Sequence, residues 1–254
     1  MRRVLCGLSL IIALAFASPA GAITYGAPDG NAHPSVGALL AAQAYSDGTW
    51  VSCTGTLISA TVFVTAAHCD SGESRVAVTF DSVYDAKKGT EYWGTYHADP
   101  GYNQAQSDTK DLAVVVFDKP IRGITPARLP AADSLTGLTG SQRFTSVGYG
   151  AQQVSNGPGG KRFSYQDVRF VSTGTLNSIN AAWLRISQNP STGNGGTCYG
   201  DSGGPNFLGA GSTETDVIAS TTITGDMFCR STNVTYRLDT ESARAFLGQF
   251  VTLP

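Results

Sequence analysis

The stretch "GGTCYGDSGGPNF", Gly195 to Phe207, sets five glycines, a cysteine and a proline around one serine, Ser202. Gly, Asp and Ser ahead of a proline are ordinary loop material, so composition alone makes Ser202 a polar turn residue. Crowded glycines have a second use: they let backbone amides close on a reacting centre with no side chain in the way. The rest of the chain decides between the two.

The chain has 254 residues, a formal charge of −2, 41% hydrophobic and 14% charged residues, and 30 glycines. These values describe a folded, loop-rich protein with a sizeable core. No basic excess or Lys/Arg run points to nucleic acid. Residues 1–22, "MRRVLCGLSLIIALAFASPAGA", read as a signal peptide: Arg2 and Arg3, an apolar run from Val4 to Phe16, then Ala20-Gly21-Ala22 as a cleavage signature. A secreted protein with no membrane anchor is therefore expected. Its removal also takes Cys6 and leaves four cysteines, Cys53, Cys69, Cys198 and Cys229. An even number in an exported chain implies two disulfides, with three pairings open. Zinc is disfavoured, since there is no C-x-x-C or H-E-x-x-H spacing and His33 and His97 stand isolated. No metal or cofactor is expected.

Beyond residue 23, short runs rich in β-formers recur between turn residues, among them "VGALLAA", "TWVSCTGTLIS", "VFVTAAHC", "RVAVTF", "LAVVVF", "FTSVGYG", "WLRIS", "VIASTTIT" and "VTYRL". That spacing predicts an all-β barrel or sandwich. One stretch reads as a helix, Thr240 to Phe250, with Ala243, Phe246, Leu247 and Phe250 on one face and Thr240 as N-cap. The Pro-containing segment "DKPIRGITPARLPAADS" is the expected linker.

A serine hydroxyl is a weak nucleophile until a neighbouring base, usually a histidine oriented by a carboxylate, takes its proton. The string Gly200 to Gly204 fits G-x-S-x-G, the nucleophile elbow of α/β-hydrolases, but in that fold the histidine follows the serine. Here His33, His68 and His97 all precede Ser202. An Asp-His-Ser order using Asp29 or Asp47 is possible, but the β-rich pattern opposes the α/β fold that goes with it. The order His-Asp-Ser is met in two informative contexts. His68 lies in "VTAAHC" beside Cys69, and Asp111 heads the apolar run "DLAVVVF", where a partly buried carboxylate needs a strong partner.

With those segments in hand, the chain resembles the chymotrypsin/trypsin family of serine endopeptidases. The resemblance rests on "ITYG" at Ile23, "CTGTLISATVFVTAAHC" at Cys53, "DLAVVVF" at Asp111, "SVGYG" at Ser146, "GTCYGDSGGP" at Gly196 and "NVTYRL" at Asn233, in family order. It implies two six-stranded antiparallel β-barrels with a C-terminal α-helix, the barrels spanning 23–128 and 129–254, and an active site between them. It implies Ser202 as nucleophile, His68 as general base and then acid, Asp111 as orienting anion, and the amides of Gly200 and Ser202 as oxyanion donors. It pairs Cys53 with Cys69 and Cys198 with Cys229, the first bridge bracing the backbone beside His68. The implied activity is endopeptidase, acting through an acyl-enzyme on polypeptide substrates, subject to protein inhibitors, as a monomer. A catalytically silent binding protein of the same family is the alternative.

By the same resemblance, Gly196 would form an uncharged pocket floor beside Thr197, with Thr222, Ile223 and Thr224 as wall and substrate-pairing strand. Such a pocket favours an apolar or aromatic residue; a contribution from Asp226 would instead favour a basic one. The family's Ser-Trp-Gly wall is missing, which leaves open the hydroxyl that supports Asp111. Asp201 would receive the α-ammonium of Ile23. Because Ile23 directly follows Ala20-Gly21-Ala22, signal peptidase alone would free that amine, whereas a cut after Ala17 would leave a five-residue propeptide. Asn233-Val234-Thr235 is an N-glycosylation pattern.

Overall fold

The computed structural model describes residues 23–254, so the expected signal peptide, 1–22, lies outside the described residues. Six strands close the first barrel: β2 (Val36–Leu40), β3 (Val51–Ser59), β4 (Val62–Thr65), β5 (Arg75–Thr79), β6 (Tyr92–Ala98) and β7 (Ala113–Phe117), after a short β1 (Ala27–Pro28). Their order around the ring is β2-β3-β4-β7-β6-β5, with every neighbour antiparallel. The continuous apolar runs of β4 and β7 follow from burial on both faces. Phe63 and Val115 point into the barrel with Leu39, Leu57, Val78 and Phe117, while Val62, Val64 and Val114 point outward into a cluster shared with Tyr149, Phe207, Ile218, Phe246 and Leu247.

The second barrel uses β8 (Arg143–Gly148), β11 (Phe170–Ile179), β12 (Trp183–Ser187), β13 (Pro205–Leu208), β14 (Ile218–Gly225) and β15 (Thr232–Arg237), and the β8–β11 pairing closes it. A hairpin of β9 (Gln153–Gly157) and β10 (Gly160–Ser164) projects beside it. Part of its interior is polar. Asn206 Oδ1 accepts from Ser146 Oγ at 2.7 Å and Asn233 Nδ2 at 3.0 Å, and Asn206 Nδ2 donates to Thr222 Oγ1 at 3.2 Å. Asn233 is only 1% exposed, which removes it as a glycan acceptor in the folded chain.

Each end of the described chain crosses to the barrel opposite its own. β1 adds to the second barrel through Ala27↔Val171 and Pro28↔Phe170, although residues 23–28 precede the first. The helix α1 (Glu241–Leu247) starts at Thr240, whose hydroxyl accepts the Ala243 amide, as its sequence predicts. Phe250, just past it, lies 5.5 Å from His97 of β6. The expected linker is equally tied down: Ile121 and Ala127 are buried, and the Ala127 amide donates to Leu57 O at 2.9 Å.

An ion cluster fastens the N-terminal segment to both barrels. Arg169, 0% exposed, donates from Nε to Asp29 Oδ2 at 2.8 Å and from one terminal nitrogen to Val36 O, Phe80 O and the Tyr149 hydroxyl. His33 is not isolated. Its ring joins Asp29 through Nδ1 and Glu214 Oε1 through Nε2 at 2.7 Å, and stacks on Phe207. Burial opposes a charged imidazole here, but hydrogen bonds to the two carboxylates outweigh it and raise the His33 pKa. Asp29, also opposed by burial, is held below the usual carboxylate range by His33 and Arg169. Arg169→Met leaves the Asp29 charge short of a buried partner, so unfolding free energy from urea titration should fall by about 3–5 kcal/mol.

Candidate active site

His68 and Asp111 meet because of strand register. β4 pairs with β7 so that Thr65 faces Ala113, which brings the residues just after β4 and just before β7 to one end of the first barrel. His68 occupies a 3-10 turn, Ala67–Cys69, directly after β4. Asp111 precedes β7 and is 3% exposed. One of its oxygens accepts the His68 backbone amide at 3.0 Å and the other lies 2.7 Å from His68 Nδ1. That double grip fixes both the position and the rotation of the ring. No hydroxyl donates to Asp111 among the described residues; the Thr222 hydroxyl oxygen accepts from Asn206 Nδ2 and Asn233 Nδ2. The Cys53–Cys69 disulfide closes a 16-residue interval on this turn, a constraint worth on the order of 3 kcal/mol. Cys53, His68 and Cys69 cluster closely, but both sulfurs are committed to the bridge.

Ser202 comes from the second barrel, on the loop leading into β13, and lines the same cavity as His68. Its loop is held against the first barrel by Thr54 of β3, which is fully buried. The Thr54 amide donates to Ser202 O at 2.9 Å, its hydroxyl donates to Gly200 O at 3.0 Å, and the same hydroxyl accepts the Tyr149 amide at 3.1 Å. Gly203 must be glycine for this contact: its φ is 78°, and a Cβ would sit 2.2 Å from Thr65 Oγ1 and 2.5 Å from Thr54 O. Gly200 has φ 94°, and neither its amide nor that of Ser202 has a protein acceptor among the described residues. Two free donors beside a hydroxyl suit a developing oxyanion.

Asp201 is completely buried and receives amides from Gly150 and Cys198, each at 2.8 Å. Burial pushes its pKa up to about 7, with the two amide hydrogen bonds pulling the other way. Ile23 is buried against Phe170 and Val168, with an unusual φ of 52°. In the uncut chain its nitrogen is a peptide amide and carries no charge.

The cavity beside His68 and Ser202 has a volume of about 330 Å³. Thr197, Thr222, Ile223 and Thr224 line it as expected, joined by Tyr199, Gly225, Asp226 and the Cys198–Cys229 disulfide. Gly196, expected at its floor, is not among the lining residues. Its amide is bonded to Thr24 O at 3.0 Å, and a Cβ there would fall 2.0 Å from Gln188 Oε1. Gln188 therefore fills the space a longer side chain would need. Asp226 does line the cavity, but its carboxylate accepts the amides of Phe228, Arg230, Ser231 and Thr232 and a bond from Gln188 Nε2. Burial raises its pKa, yet those backbone bonds outweigh burial and lower it overall. Sequence reasoning missed Thr54, whose part depends on which loop it touches, and Gln188, which lies far from any motif.

The family model described as Trypsin matches residues 29–238. A thrombin-like enzyme of Bothrops jararacussu, BjussuSP-1, is 29% identical over 192 residues, covering 70% of this chain and 75% of that protein. A trypsin of Phaedon cochleariae is 31% identical over 173 residues, covering 60% and 63%. The snake venom serine protease BITS01A of Bothrops insularis is 27% identical over 222 residues, covering 80% and 79%. Among solved structures, HBP superposes with a TM-score of 0.66 at 19% identity, over 90% of this chain and 96% of that one, a likeness of fold.

Thr54→Val keeps the shape of the side chain and removes the hydroxyl, leaving Gly200 O and the Tyr149 amide unpaired. Each such group costs about 1–3 kcal/mol, a loss that should appear in urea unfolding with the m-value unchanged.

Proposed function

We propose the following function for this chain, which belongs to the trypsin family: it is a secreted serine endopeptidase that cleaves polypeptides through an acyl-enzyme. The observation that carries this reading is the grip of Asp111 on two nitrogens of His68, the backbone amide and ring Nδ1, in the cavity that Ser202 lines. His68 Nε2 takes the proton of Ser202 as Oγ attacks the scissile carbonyl, and Asp111 holds Nδ1–H and stabilises the imidazolium that forms. The carbonyl oxygen becomes an oxyanion received by the Gly200 and Ser202 amides. His68 then passes its proton to the leaving amine, and a water attacks the acyl-enzyme by the reverse route. No hydrogen bond joins Ser202 Oγ to His68 among the described residues, and such bonds commonly tighten only when substrate arrives.

The acyl-side pocket favours an apolar or aromatic residue. Asp226 is the one acid among its lining residues, and backbone amides already engage its carboxylate oxygens, so a lysine or arginine would find few free acceptor sites there. The signal-peptide pattern of residues 1–22 supports secretion, and no described helix is long and apolar enough to cross a membrane. The activity reading and the silent alternative separate on one experiment. A fluorophosphonate probe should label the folded protein and fail on Ser202→Ala, and unlabelled protein from the same preparation should cleave peptides after Phe or Leu roughly 30-fold or more faster than after Ala. Absence of labelling in folded protein rejects the enzyme, whereas labelling with a preference for Arg rejects only the apolar pocket.

Activation follows from Asp201. A fully buried carboxyl with two amides and no cation favours its neutral form, and the α-ammonium released by cutting before Ile23 would supply the missing charge. Thr24 is already docked at the pocket, with its carbonyl on the Gly196 amide and its hydroxyl on Cys229 O at 2.6 Å. A cut at Ala22 by signal peptidase therefore exposes the amine on a segment held in place at its next residue. A carboxyl whose folded pKa is raised lends stability that is complete below its unfolded pKa and is lost as pH rises through the folded value. The melting temperature of the uncut chain should accordingly drop between about pH 4 and about pH 7, and Asp201→Asn should remove that part of the drop. An equal drop in wild type and Asp201→Asn would reject the account.

A further inference from the structure

The turn that carries His68 is held from one more side. Tyr96 of β6 donates its hydroxyl to Ala66 O at 2.6 Å and, as the longer arm of the same bond, to Ala67 O at 3.3 Å. These are the two carbonyls immediately ahead of His68. We propose that Tyr96 is a positioning residue for catalysis: its hydroxyl fixes the two peptide units leading into His68, so that the His68 amide and ring reach the two oxygens of Asp111 together. The proposal rests on the protease reading above, which makes His68 the base and Asp111 its orienting anion.

A single 3-10 turn has little to hold itself. Its own two bonds, from the Cys69 amide to Ala66 O and from the Asp70 amide to Ala67 O, are both 3.2 Å, at the long end of the N–H···O range. The cap residue, Ala66, makes no side-chain bond. The Cys53–Cys69 bridge fixes the residue after His68, whereas Tyr96 acts on the two before it. Because the two carbonyls flank Ala67, one hydroxyl touching both sets the angle between successive peptide planes. The second plane, Ala67–His68, is then gripped at opposite edges: its carbonyl accepts from Tyr96, and its N–H donates to Asp111 Oδ1 at 3.0 Å. Hydrogen bonds in series polarise one another, so a peptide that accepts at its oxygen donates better from its nitrogen. Asp111 accepts only from His68 among the described residues. A hydroxyl therefore supports this carboxylate through a peptide rather than by contact.

Tyr96 is itself firmly placed. It pairs with Val115 of β7, and Val115 pairs with Phe63 of β4, so the three side chains form a row across adjacent strands in the core of the first barrel. Its backbone amide donates to Ser74 O at 2.9 Å. Packing accounts for an aromatic ring at this position but not for the hydroxyl, which is a burden in a core unless it finds an acceptor. Both acceptors it finds belong to the His68 turn. Burial, with Asp70 and Asp111 nearby adding to it, raises the Tyr96 pKa, so the hydroxyl keeps its proton and remains a donor at any pH where a neutral His68 can act as base.

Tyr96→Phe keeps the ring and removes the hydroxyl. With fluorophosphonate labelling to count active molecules, kcat on a peptide substrate should fall roughly fivefold to tenfold, the factor for one net hydrogen bond, while KM changes by less than about twofold. A part in stability alone would leave a second readout unmoved. In proton NMR with isotope-labelled histidine, the His68 backbone amide of the variant should shift upfield and exchange faster with solvent, and the Nδ1 proton shared with Asp111 should shift upfield as well. Tyr84→Phe removes another tyrosine hydroxyl of this barrel, the one that donates to Glu91 at 2.8 Å, and should leave kcat, KM and the His68 signals as in wild type. Unchanged His68 signals in Tyr96→Phe overturn the positioning role whatever the activity, as does a kcat within about twofold of wild type or a loss that Tyr84→Phe reproduces. Wild type that neither cleaves peptide nor takes up the probe overturns the protease reading instead, and the His68 signals then still decide whether Tyr96 holds the turn.

Discussion

The candidate site depends on one joint, the seating of the Ser202 loop on Thr54. His68 and Asp111 belong to the first barrel and Ser202 to the second, so no strand register within either barrel sets the distance between base and hydroxyl. Thr54 does so with three groups. Its amide holds Ser202 O, its hydroxyl joins Gly200 O to the Tyr149 amide, and its carbonyl receives the Thr65 hydroxyl from β4 at 2.8 Å. The hydrogen bonds are buried or partly buried, where an unmade bond is expensive, and Gly203 permits the approach. The crossed ends of the chain act in the same direction. With β1 on the second barrel and the residues around α1 packed on the first, separating the barrels would require undoing both terminal segments as well as the central contact.

Two buried carboxylates near the barrel interface show how differently the same residue type can be accommodated. Asp29 has a guanidinium on one oxygen, an imidazole on the other, and a pKa held low. Asp201 has two amides, no cation, and a pKa pushed toward neutrality. An uncompensated buried charge destabilises, so the cations around Asp29 hold it ionised while burial favours the neutral form of Asp201. Its neighbours in sequence are the two oxyanion-donor candidates, Gly200 and Ser202. Any charge supplied to Asp201 therefore acts on the backbone that sets those amides.

Much of this architecture was legible because both faces of the first barrel are buried. β4 and β7 announce themselves as unbroken apolar runs, and the helix at Glu241 by its capping threonine and one apolar face. β6, "YWGTYHA", escaped because it mixes Gly94 and His97 with aromatics and is a strand chiefly through its two neighbours, β5 and β7. His68, Asp111 and Ser202 were readable from their flanking residues. The remaining lining was less so, since it depends on which side chain fills a space. Gly196 marked the right neighbourhood, but Gln188, from the segment after β12, occupies the volume that its missing side chain leaves. His33 looked alone in sequence because one partner, Glu214, lies 181 residues away and the other, Asp29, belongs to no motif although it is only four residues upstream.

The cleft is chemically asymmetric, and Tyr199 is where the change occurs. On one side lie a disulfide, threonines and Ile223, with the only acid engaged by backbone amides; on the other, in a second cavity, lie Tyr45, Tyr165 and Asp47, which accepts the Thr49 hydroxyl. A single side chain serving as wall to both cavities couples them, since moving its ring to enlarge one narrows the other. Phe163 of the β9–β10 hairpin meets that ring edge-on, and Lys161 of the same hairpin lies over the Phe228 ring. The volumes of the two cavities are then not independent, since one aromatic ring, packed on the hairpin, bounds both.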